Sequence, residues 1–176
     1  MPREHRIEVR LRDLEQFFNT IDPSPFHEKD LDQDLEEFIV SWAKECPAEL
    51  PIRLVVHLER RCPDDAEGVL EKAVHHYFAY KADLNRRELA QLFRRGRVSL
   101  AIGLTVLALC VTAAELVTSL SAPGGSILGE SLLIGGWVAM WQPLEIYLYG
   151  WWPLRQQGRT YEKLTVMAVE VQGEGG

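Results

Sequence analysis

Apolar and polar positions alternate strictly over residues 6–11, with Ile7, Val9 and Leu11 on one side and Arg6, Glu8 and Arg10 on the other. A period of two predicts a half-buried strand. Asp13 then stands where it can cap a short helix bearing Leu14, Phe17 and Phe18. The two prolines of Asp22-Pro-Ser-Pro impose a turn. From Asp30 the period changes: Leu31, Leu35, Phe38, Ile39 and Trp42 recur at helical spacing, while Asp32, Asp34, Glu36 and Glu37 occupy the other face near the helix start. Pro47 and Pro51 end that helix. Residues 52–58 alternate again, Ile52, Leu54, Val56 and Leu58 against Arg53, Val55 and His57, which predicts a second strand. Asp64 and Glu67 have capping-box spacing and open a long helix expected to run toward Gly96 and on into the apolar stretch beyond it. Residues 164–171 read as a third strand.

Between these amphipathic elements lie two runs that are apolar all round. Residues 98–120 and 131–154 each contain one acid and no base. About 20 apolar residues cross the hydrocarbon core of a bilayer, so both runs are long enough. The expected architecture is an α+β domain of about three strands plus helices, with a two-helix transmembrane hairpin inserted before the last strand. In residue numbers, 1–92 form the first part of the domain and 93–97 a basic juxtamembrane segment. Residues 98–120 and 131–154 are the two spans, joined by a short external loop at 121–130. Residues 155–176 return with the third strand and a tail.

Composition sharpens this picture by its segregation. The chain of 176 residues has a formal charge of −7, and 18 of its 26 acids fall within the first 80 residues. An acidic part and an apolar part are joined in one chain. The acidic part argues against nucleic-acid binding. Basic residues flank the spans: Lys81, Arg86, Arg87, Arg94, Arg95 and Arg97 before the first, and Arg155, Arg159 and Lys163 after the second. Residues 121–129 between them carry no charge. The positive-inside rule then places both termini in the cytoplasm. Tyr147, Tyr149, Trp151 and Trp152 form the inner aromatic belt. Residues 1–6 lead into a strand and not into a signal-peptide core, so the first span is expected to direct insertion.

Glu115 and Glu145 are the acids within the spans, and an intramembrane acid is a functional-site hypothesis by default. At about 1.5 Å per residue their depths differ by roughly 13 Å, too far to share a proton within one chain. Gln142, Pro143 and Glu145 form a polar cluster near mid-membrane, where Pro143 leaves the Ala139 carbonyl without a helical donor. Gly103, Gly135, Gly136 and Ala139 permit close helix packing around it. Three uses compete: locking the hairpin, docking another subunit, or carrying protons or ions. His57, His75 and His76 lack the geometry of a metal site, since adjacent helical residues point about 100° apart. Cys46, Cys62 and Cys110 fit neither a disulfide framework nor a zinc motif. No cofactor is expected, and the partners expected are membrane lipid, further copies of the chain or a larger membrane complex.

The stretch from Trp137 through Gln142-Pro143-Leu144-Glu145 to Arg155, with Tyr161-Glu-Lys-Leu and Phe93-Arg-Arg-Gly-Arg97, resembles a family of bacterial two-span inner-membrane proteins to which no activity is attached. That resemblance implies a bacterial inner-membrane location. The functional expectation is a non-enzymatic assembly, accessory or scaffold subunit. The alternatives are an oligomeric channel or proton-coupled component using Glu145, and a membrane-tethered enzyme acting through the cytoplasmic domain.

Overall fold

The computed structural model describes residues 4–19, 29–47, 50–59, 66–120 and 124–173. The expected turn at Asp22, Cys62, the Asp64 cap and residues 121–123 lie outside them. The chain divides into two compact units: Met1–Asn85 with Gln156–Gly176, and Arg86–Arg155.

The first unit combines helices with a three-stranded parallel sheet. Strands β1 (His5–Leu11), β2 (Ile52–Leu58) and β3 (Ala168–Gly173) lie in the order β1-β2-β3. Ile7 pairs with Leu54 and Leu54 with Val169; Val9 pairs with Val56 and Val56 with Val171. Parallel neighbours need a crossover, and helix α1 (Gln33–Glu45) supplies it between β1 and β2. Asp32 caps α1 by accepting from the Asp34 and Leu35 amides at 3.1 and 3.3 Å. The short helix expected after Asp13 is a single 3-10 turn, Leu14–Phe17, and Phe18 leaves it in extended conformation to bridge Leu31.

One face of the sheet carries the core. Ile7, Val9, Leu54, Val56 and Val169 pack with Leu35 and Ile39 of α1, with Leu70, Val74 and Phe78 of helix α2 (Ala66–Ser119), and with Leu164. Each such side chain contributes about 1.5–3 kcal/mol on leaving water. Val55 is expected on the polar side by alternation, yet it is buried in the central strand, in register with Glu8 of β1 and Glu170 of β3. Arg53 spans that polar face, bonding Glu4 at 2.9 Å and lying 3.6 Å from Glu170. The hydrogen bond from Arg53 holds the Glu4 carboxyl below its ordinary range.

Helices α1 and α2 are clamped by a polar cluster. The Tyr77 hydroxyl donates to Glu36 at 2.5 Å, and Lys81 Nζ lies 2.9 Å from the same carboxylate. Burial, and then the neighbouring Glu36 carboxylate, push the Tyr77 hydroxyl's pKa far up.

Two boundaries differ from those expected. Helix α5 (Trp151–Leu164) runs on through Leu164, whose side chain with Tyr161 completes a buried helical stripe, so the last strand starts at Ala168 and not at 164. Helix α3 starts at Gly125, so 125–130 are helical and not loop. Gly124 precedes it at φ +85°, a conformation that glycine adopts without strain.

Helix α2 continues without interruption from the first unit into the second. It is the one helix among the described residues long and apolar enough to cross a membrane by itself, and only 11% of its most apolar stretch is buried. A core helix of a soluble protein would be mostly covered. The second apolar run is also helical but is divided: α3 (Gly125–Ala139), α4 (Trp141–Glu145), a π-turn (Ile146–Gly150) and then α5. Pro143 accounts for the division. Without an amide hydrogen it fits the first turn of a new helix, so the chain restarts after Met140.

Candidate interaction surface of the helical unit

Small residues set how the second apolar run lies along α2. A Cβ at Gly103 would stand 3.0 Å from the Ala139 carbonyl oxygen and 3.1 Å from the Met140 sulfur. One at Gly136 would meet Leu107 at 2.9 Å and Cys110 at 3.1 Å. Toward one end Gly129 abuts Thr118, and toward the other Gly96 abuts Ile146 and Tyr147. Contacts that rise along α2 fall along its neighbour, so the two stretches run in opposite directions. Gly135, by contrast, faces open space. Among the described residues no atom lies within 4 Å of a Cβ placed there, in contrast to neighbouring Gly136.

The polar cluster splits between inside and outside. Pro143 is fully buried against the Gly103 side of α2, whereas Gln142 and Glu145 are exposed on the outer surface. Among the described residues the side chains of Gln142 and Glu145 have no hydrogen-bond partner, while the Gln142 carbonyl accepts from the Ile146 amide. The Ala139 carbonyl, freed by Pro143, lies against Gly103. The π-turn follows directly after Glu145, a distortion often found at functional positions.

Glu115 lies elsewhere, on a groove of about 290 Å³. That groove is also lined by Thr118, Ser126 and Glu130. Glu130 was not singled out by the sequence pattern because it stands at the edge of an apolar run, where an acid reads as part of the loop. The structure therefore brings Glu115 to Glu130 and not to Glu145.

The aromatic and basic residues gather near the opposite end. Trp151 Nε1 donates to the Tyr147 carbonyl at 2.9 Å, Trp151 stacks with Trp152, and Arg155 lies over the Trp151 ring at 5.6 Å. Phe93 contacts Tyr147. Arg94, Arg95 and Arg97 are exposed, as is Tyr149.

In the first unit the histidines are dispersed. His75 Nε2 bonds the Met167 carbonyl at 2.8 Å, and His57 Nε2 lies 3.8 Å from Glu8. Among the described residues no three His, Cys, Asp or Glu side chains converge on a metal-sized site. Comparison with known proteins finds no family model, no curated relative and no solved structure that matches the chain.

Proposed function

We propose that this chain is a non-enzymatic integral membrane protein of two spans, α2 and the divided run from α3 to α5, with both termini in the cytoplasm of a bacterium and the hairpin in its inner membrane. The protein acts as an assembly, accessory or scaffold subunit. One observation carries this reading. The helical unit turns large apolar side chains outward along its length, including Val98, Ile102, Leu109, Leu116, Ile134, Trp137 and Trp141, each more than half exposed. Water does not tolerate such a surface, and lipid or other apolar helices cover it. Gln142 and Glu145 interrupt that surface with side chains that have no partner among the described residues. In lipid such groups draw a partner from another chain.

The Glu115–Glu130 groove favours a second reading, an oligomeric channel or proton-coupled component, in which carboxylates line the path. The two readings part experimentally. Crosslinking in native membranes, with Glu145→Gln and Gln142→Leu alongside, tests association: loss of crosslinked species in both variants supports the first reading, and unchanged assembly removes its main support. Proton flux through reconstituted protein that survives Glu145→Gln but falls in Glu115→Gln and Glu130→Gln supports the second.

A further inference from the structure

The free edge of β1 has a directional hydrogen-bonding pattern. The His5 amide donates to the Pro51 carbonyl and the Leu11 carbonyl accepts from the Glu59 amide. Odd-numbered residues of β1 thus turn their backbone groups toward β2. Glu4, Arg6, Glu8 and Arg10 turn theirs outward, where β1, as an edge strand, has no neighbour in the sheet among the described residues. Beside this edge α1 exposes Phe38 and Trp42, one turn apart and in ring contact. A groove of about 240 Å³ runs between them and Arg6, Ile7 and Glu8.

An open edge invites another strand, and charged outward residues ordinarily deter it. Here their signs alternate: Glu4, Arg6, Glu8, Arg10. We propose that β1 pairs antiparallel with β1 of a second copy, Ile7 opposite Ile7, joining the two sheets into one of six strands. In that register Arg6 faces Glu8 of the second copy and Glu4 faces its Arg10, and by symmetry the reverse. Each of these opposed residues has outward backbone groups, so each pair exchanges two ladder hydrogen bonds. Sliding by two residues fails in both directions. One slide sets Arg6 against Arg6 and Glu4 against Glu8; the other sets Glu8 against Glu8 and Arg6 against Arg10. Sliding by one sets inward-bonding residues against outward-bonding ones. Among the described residues Arg10 has no ion-pair partner within the chain, and Arg6 is drawn to Glu4 only at longer range while Arg53 holds that carboxylate, so the second copy supplies the close partners. Phe38 and Trp42 would then meet their counterparts across the two-fold axis and lose their exposure.

This pairing rests on the self-association in the reading above. It uses residues of the first unit alone, so it holds whether or not the helical unit crosses a membrane. The test is the mass of the full-length protein in mild detergent, by sedimentation velocity, for wild type, Arg6→Glu, Glu8→Arg, the double exchange and an equimolar mixture of the two single variants. Wild type is expected to be dimeric. Each single variant opposes like charges at two symmetric places and weakens the dimer at least about tenfold. The double exchange restores the dimer. The mixture restores it too, since one copy then carries two acids opposite two bases on the other, a result that misfolding cannot imitate. A monomeric wild type, single variants as dimeric as wild type, or a mixture that stays apart would each overturn the pairing. Association that survives both edge variants and disappears in Glu145→Gln would assign it to the helical unit, sinking this interface while sparing the function proposed above.

Discussion

Gly103 lies against the carbonyl oxygen of Ala139, so closely that a methyl group at residue 103 would stand 3.0 Å from it. The contact joins two consequences of sequence: a residue without a side chain on α2, and a carbonyl released from helical bonding by Pro143. Enlarging Gly103 or Gly136 to valine should therefore cost about 1–3 kcal/mol through overpacking. Gly135→Val, facing open space, should cost less than either by a clear margin. Thermal unfolding in detergent ranks the three, and equal losses at 135 and 136 would refute the packing described.

Tyr77 and Glu36 link α1 to α2. Tyr77→Phe removes a hydrogen bond to a charged acceptor and should destabilise the first unit by about 1.5–3 kcal/mol in denaturant unfolding. The pH dependence follows from the raised Tyr77 pKa. Its contribution is complete below the unfolded tyrosine value near 10 and is lost as pH rises through the folded one. In alkaline spectroscopic titration Tyr77 should stay protonated until the fold opens. A phenolate at Tyr77 in folded protein at pH 11 would contradict this.

Gly158 packs on Asn85, and a Cβ there would lie 2.5 Å from Asn85 Oδ1. Asn85 is 5% exposed, so its amide has little room to retreat. Gly158→Ala, normally favourable within a helix, should instead destabilise by about 1–3 kcal/mol. The double variant with Asn85→Ala should recover most of that loss, and failure to recover would show that the clash is not the cause.

How much of this was legible beforehand depends on what each signal encodes. Alternation over Ile52–Leu58 marks β2 residue for residue, since a strand's side-chain period is local. Strand direction is not local: Ile7, Leu54 and Val169 would alternate identically in antiparallel pairs, and the crossover by α1 decides it. Pro143 announced a break in the second apolar run, but the restart after Met140 and the π-turn beyond Glu145 depend on what the freed carbonyls meet. Gly135 and Gly136 look alike in sequence, and their contrast comes from Leu107 and Cys110 on the facing helix. Glu130 stands at the edge of an apolar run, where an acid reads as loop, and only the helical start at Gly125 sets it on a groove with Glu115. Alternation over residues 6–11 predicts a half-buried strand and says nothing of how its charges pair. Their self-complementarity appears only once the edge and its bonding direction are known.

Asp32 holds the first turn of α1 through two amides. Asp32→Ala leaves two amides without their acceptor and should cost about 1 kcal/mol, against a few tenths for Asp32→Asn. Denaturant unfolding of both variants reads the difference, and equal losses would rule out the cap as the cause.

Fusions of a phosphatase that is active only outside the cytoplasm test the proposed two-span topology most directly. The enzyme is joined after Gly124, between the two runs, and in a second protein after Gly176. High phosphatase activity after Gly124 and none after Gly176 is the predicted result. Activity at neither site, or at both, would contradict a hairpin with both termini inside.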